Sequence, residues 1–165
     1  MFSRYSVSLL LVALSSQSFA FQCYITLVKD SCWTNYNVSM AVINSTNNQT
    51  ITTVEAPKGK QWQRQPFQCE AAMKLMYNAS FSPVFWENDK GKSYWALRYW
   101  FLPGEVKPNQ SAWDIPVCFP SAFSGVPLPP EANGNCKCDF FSIPPVPPAV
   151  IKAPSSGTTS TEPSS

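Results

Sequence analysis

The chain has 165 residues, 12 basic and 10 acidic side chains for a formal net charge of +2, six cysteines and no histidine. Without histidine there is no Ser-His-Asp or Cys-His nucleophile pair and no histidine-ligated zinc centre. The near-neutral charge lacks the clustered Lys/Arg footprint of a nucleic-acid or anionic-membrane binder, and neither a G-x-S-x-G elbow nor a glycine-rich phosphate loop occurs.

Residues 1–20 read as a cleavable export segment: Arg4 supplies a positive start, Val7 to Leu14 an apolar run, and Ser18-Phe19-Ala20 a small-x-small cleavage pattern. The apolar run is far shorter than the roughly 20 residues needed to span a bilayer. Cleavage leaves a chain starting at Phe21, with 11 basic and 10 acidic residues and a net charge of +1. Gln22, rather than a small residue, precedes Cys23, so Cys23 is read as a disulfide partner and not a lipid anchor.

Residues 21–143 are expected to form one domain in which period-two patterns dominate. Tyr36, Val38, Met40 and Val42 alternate with Asn37 and Ser39, the pattern of a half-buried strand. Turn residues Asn44–Asn48 separate it from a strand at Thr50–Glu55, and Pro57-Lys58-Gly59 separates that from Lys60–Arg64. Lys58, Lys60 and Arg64 around Trp62 read as a solvated strand edge. Phe67–Tyr77 alternates throughout and is read as one strand, although Ala71–Met76 are also good helix formers. Asn88–Gly91 is a turn between Phe85-Trp86 and the aromatic run Tyr94–Phe101. Successive antiparallel strands with no βα alternation predict an all-β, disulfide-stapled antiparallel β-sandwich. Immunoglobulin-like topology leads, and a partly open barrel is the alternative.

Ten of the 16 prolines lie in residues 120–165, which limits regular sheet there. Cys136–Ile143 is read as a last short strand. Residues 144–165, ending in a Ser/Thr/Pro-rich stretch, have no means of burying apolar surface and are expected to be a disordered tail. The P-x-x-P spacings at Pro127/Pro130 and Pro144/Pro147 read as stiff spacer rather than as ligands for an intracellular groove.

Cys23, Cys32, Cys69, Cys118, Cys136 and Cys138 imply three disulfides in an exported chain, among 15 formal pairings. If Cys136 and Cys138 lie on a strand they point the same way. The expectation is that they reach Cys23 and Cys32, leaving Cys69 with Cys118. A soft-metal or redox role for Cys136-Lys137-Cys138 lacks the further Met, Cys or His ligands such sites recruit, so no metal or other cofactor is expected.

The most suggestive functional feature is Ser93–Leu102. One face carries Trp95, Leu97, Tyr99 and Phe101, which read as core; the other presents Tyr94, Arg98 and Trp100, an amphipathic platform suited to a protein or glycan partner. The competing reading buries both faces in a central strand. Glu87 and Asp89 are the closest pair of carboxylates for acid-base hydrolysis, but they border a turn where acidic residues are ordinary. Asn37, Asn44, Asn48, Asn78 and Asn109 head N-glycosylation patterns that matter only in a eukaryotic host. The functional expectation is an exported, non-catalytic binding module, secreted or periplasmic. A structural accessory protein without a ligand site is the alternative, with a carboxylate hydrolase third.

Overall fold

The computed structural model describes residues 21–107, 110 and 112–146. The expected export segment and the tail beyond residue 146 lie outside the described residues. The chain is all-β: β1 (Phe21–Lys29), β2 (Asn37–Asn44), β3 (Gln49–Ala56), β4 (Trp62–Cys69), β5 (Lys74–Ser82), β6 (Tyr94–Trp95), β7 (Trp100–Phe101) and β8 (Trp113–Phe119). One sheet has the order β4-β1-β8, with β1 antiparallel to β4 and parallel to β8. The other has the order β3-β2-β5-β6, and β7 pairs with β5 further along. Among the described residues, no helix is long and apolar enough to cross a membrane.

Alternating side chains from both sheets meet in one core. Ile25 and Leu27 from β1 and Ile115 and Val117 from β8 face Val38, Met40, Val42, Leu75 and Tyr77 from the second sheet, all buried. Each such aliphatic side chain contributes about 1.5–3 kcal/mol by leaving water. At one end Trp33, fully buried in the 3-10 turn Ser31–Trp33, packs edge-on against Phe81 (4.6 Å) and Phe119 (4.7 Å). Asp30 caps this turn by accepting from the Cys32 amide at 2.9 Å. Beside it the buried Lys29 ammonium donates to the carbonyls of Tyr36 (2.6 Å), Pro57 (2.9 Å) and Thr34 (3.4 Å), satisfying three loop acceptors.

The expected single strand Phe67–Tyr77 is two strands in different sheets. It breaks at Ala72, whose φ of 59° turns the chain, and the Ala72 amide donates to Pro103 at 2.8 Å. Because four residues separate Cys69 from Lys74, the alternation keeps its phase across the break, which disguises the turn as continuous strand. Pro57–Gly59 likewise carries the chain from one sheet to the other instead of closing a hairpin, whereas Asn44–Asn48 does close the β2–β3 hairpin. Phe85-Trp86 is not a strand; it leads into the 3-10 turn Glu87–Asp89.

The expected pairing of cysteines holds for Cys136, which reaches Cys32, and is corrected for the other four. Cys23 bonds to Cys69, Cys32 to Cys136, and Cys118 to Cys138. Cys23 and Cys69 meet because β1 and β4 are neighbours, with Cys23 opposite Phe67 and Phe21 opposite Cys69. Cys136–Ile143 forms no strand, so its two sulfurs are free to diverge, one to the Ser31–Trp33 turn and the other to the outward face of β8. The segment lies as a strap along the first sheet. Arg64 of β4 holds its end, donating from Nη2 to the Pro144 carbonyl (2.8 Å) and to Asp114 (3.1 Å), and from Nε to Thr26 (3.0 Å).

Candidate functional site

The site is built by the pairing of β5 with the aromatic run. Tyr94 lies opposite Ala79 and Trp95 opposite Asn78, while Trp100 lies opposite Leu75 and Phe101 opposite Lys74. Ala79 and Leu75 face the core, so Tyr94 must point inward, and Trp95 and Phe101 must point outward with Asn78 and Lys74. Between the two paired stretches, residues 96–99 stand opposite only residues 76–77. This excess of two leaves the inside-outside phase unchanged and bulges the strand.

The expected assignment of the two faces is therefore reversed. Trp95 (52% exposed), Leu97 (64%), Tyr99 (44%) and Phe101 (66%) form the outer surface, not core. Tyr94, expected on the binding platform, is 4% exposed and stacks on Phe81 with ring centroids 5.8 Å apart. Burial raises its hydroxyl pKa. Arg98 is exposed and Trp100 half-buried, and both line a cavity behind the strand rather than a platform with Tyr94. The hydrophobic pattern could not choose between the faces, since both are aromatic. Only the long-range register with β5 decides it.

The outer face has shape as well as area. Trp95 and Tyr99 flank a depression of about 320 Å³ whose other walls are Ile43, Ser45, Asn48 and Met76. Lys74 sits 3.7 Å from the centroid of the Tyr99 ring and 5.5 Å from that of Phe101, a cation-π arrangement that holds both rings beside a positive charge. Farther along the same sheet a shallow groove of about 430 Å³ is lined by small polar and acidic groups, Asn37, Ser39, Glu55, Ser80 and Ser82. One sheet surface thus offers apolar rings beside hydroxyl, amide and carboxylate groups.

The other chemistry-bearing candidates are engaged elsewhere. Glu87 pairs with Lys90 at 2.6 Å and Asp89 with Lys92 at 3.4 Å, both within the exposed turn. Asp30, Cys32 and Cys136 cluster closely enough to suggest metal ligands, but both sulfurs are spent in the Cys32–Cys136 disulfide and offer no thiolate. Cys138 is likewise bonded to Cys118. Arg64 stacks 5.7 Å from the Trp62 ring centroid while it binds Asp114. Of the glycosylation patterns, Asn78 has a side-chain amide nitrogen buried beneath the outer face, and Asn109 lies outside the described residues.

No protein-family model, curated protein or solved structure matches this chain.

Proposed function

We propose that this protein is an exported, non-catalytic binding module that engages a protein or glycan partner through the outer face of its second sheet, with Trp95, Tyr99 and Phe101 as anchors. The observation that carries this reading is the exposure of four large apolar side chains on one short segment. Such contiguous apolar surface costs solubility and marks interaction sites. Aromatic side chains are also the residue class that most often dominates binding energy. The neighbouring groove favours the glycan form. A sugar ring presents an apolar C–H face and a rim of hydroxyls, and this surface pairs rings with Ser39, Ser80, Asn37 and Glu55. The exposed rings speak against the accessory-protein alternative, in which every aromatic is core.

Export to a secreted or periplasmic location accompanies this reading. It is supported by three disulfides, which persist in oxidising compartments, and by the signal-like residues 1–20. The finer architectural reading, an immunoglobulin-like sandwich, rests on two mainly antiparallel sheets sharing one core. The functional test is a glycan array and an affinity capture with the oxidised chain, run beside a Trp95→Ala/Tyr99→Ala variant of unchanged melting temperature. Binding lost in the variant supports the reading; equal binding by both overturns it.

A further inference from the structure

Behind the exposed rings, on the core side of the same segment, the seam between the two sheets is incompletely closed. Ala96 bridges to Phe123, and the Leu97 amide donates to Ala122 at 2.9 Å, but the bulge at residues 96–99 leaves a cavity of about 200 Å³ beside these contacts. Tyr77, Arg98, Trp100, Val117, Ala122 and Phe140 line it. A cavity of roughly 150 Å³ with apolar walls accommodates benzene, so this one has room for a single ring or a short branched chain with a small head group. It falls below the size of pockets that take larger organic ligands.

The charged group in this lining has no partner. Arg98 makes no hydrogen bond or ion pair among the described residues, whereas Arg64, Lys90 and Lys92 each hold a carboxylate. The Tyr77 hydroxyl has essentially no accessible surface and is sealed from the cavity, so it offers no group to a ligand there. A guanidinium fork matches a carboxylate with two parallel hydrogen bonds. Mainly apolar walls and a free guanidinium at their edge match one ligand class.

We propose that this seam cavity binds a small monocarboxylate with an apolar, ring-sized body, its carboxylate on Arg98 and its body against Trp100, Val117 and Phe140. The same chemistry is presented by a free aromatic acid and by a peptide ending in an aromatic residue. This site is separate from the outer face and does not depend on the function proposed for it.

The test titrates phenylacetate, phenylacetamide and the tripeptide Gly-Gly-Phe into the oxidised chain, followed by NMR shifts of the Trp100 indole and the Tyr77 ring. Phenylacetate is expected to bind saturably, with at least about tenfold weaker binding for phenylacetamide and for the Arg98→Ala variant. Ala122→Leu, which fills the cavity, is expected to abolish binding, and Trp95→Ala to leave it unchanged. A tripeptide tighter than the free acid identifies a chain terminus as the natural ligand; a weaker one identifies a free acid. Absence of saturable binding, equal binding of acid and amide, or full binding by Arg98→Ala overturns the proposal. Because Arg98 is exposed, its variant keeps the test decisive even if Ala122→Leu does not fold.

Discussion

Trp95 lies directly across the β5–β6 ladder from Asn78, and that single pairing determines which aromatic side chains of this protein meet solvent. Asn78 belongs to the outward set of β5, so its partner does too, and every second residue follows. The consequence is testable by contrast. Tyr94→Ala, which removes a ring stacked on Phe81, is expected to cost about 3–5 kcal/mol of stability. Trp95→Ala is expected to change it by no more than about 0.5–1 kcal/mol. Urea unfolding of the two variants checks this; equal destabilisation would mean that Trp95 is core.

The disulfide connectivity is checked by non-reducing peptide mapping. Trypsin cuts after Lys137 and a Glu-specific protease after Glu131, so Cys118, Cys136 and Cys138 separate onto different peptides. The expected linked pairs are Cys23 with Cys69, Cys32 with Cys136, and Cys118 with Cys138. A Cys69–Cys118 link would contradict the fold. Removing Cys32–Cys136, which joins positions 104 residues apart, is expected to cost about 4–5 kcal/mol, and removing Cys118–Cys138, 20 apart, about 3 kcal/mol.

Stability should rise with pH through the range in which most proteins lose it. Burial lowers Lys29 from its ordinary 10.5 to about 8. Below pH 8 both the folded and unfolded chains carry the charge, and the full cost of burying it is felt. Between about 8 and 10.5 the unfolded chain holds a proton that the folded chain has released, so stability climbs. Tyr36 acts in the opposite sense: burial and the hydrogen bond to Glu131 push it up from 10 to about 12, so ionisation of the unfolded chain lowers stability above pH 10. Denaturation midpoints are expected to peak near pH 10, and Lys29→Met is expected to remove the rise below the peak. A parent profile that falls from pH 8 onward would contradict the buried-ammonium description.

Arg64 ties the strap to the sheet. Arg64→Ala removes its bonds to Thr26, Asp114 and Pro144 together, with an expected loss of about 1–3 kcal/mol. Hydrogen exchange at the Phe141 and Ile143 amides, which donate to Asp139 and Phe140, should accelerate. Arg64→Lys is not expected to rescue it, because the single nitrogen of lysine cannot occupy the separate Nε and Nη2 positions from which arginine reaches Thr26 and the Asp114/Pro144 pair. Unchanged exchange in Arg64→Ala would show that the disulfides at Cys136 and Cys138 hold the strap without it.

Much of this architecture is legible in the residues, and the failures share a cause. The β content, the Asn44–Asn48 hairpin, the alternation of Val38, Met40 and Val42 and the oxidised state of the cysteines follow from local chemistry. The turn at Ala72 carries no glycine or proline signal, and the segment around it stays in phase, so periodicity runs straight through. The reversed aromatic faces and the diverging partners of Cys136 and Cys138 depend on elements far away in sequence: β5 in one case, the Ser31–Trp33 turn and β8 in the other. The seam cavity arises from a bulge of two residues that no local pattern announces. Arg98 and Trp100 were legible as chemically interesting; their separation from Tyr94 was not.

The claim that the outer face of the second sheet is a binding surface is tested most directly by quantitative binding of the oxidised chain to a glycan array and to immobilised partner candidates, with Trp95→Ala/Tyr99→Ala measured in parallel. The account predicts a defined glycan or partner held by the parent and lost by the variant, with both proteins melting at the same temperature. A ligand retained undiminished by the variant, or its loss only alongside unfolding, would contradict it.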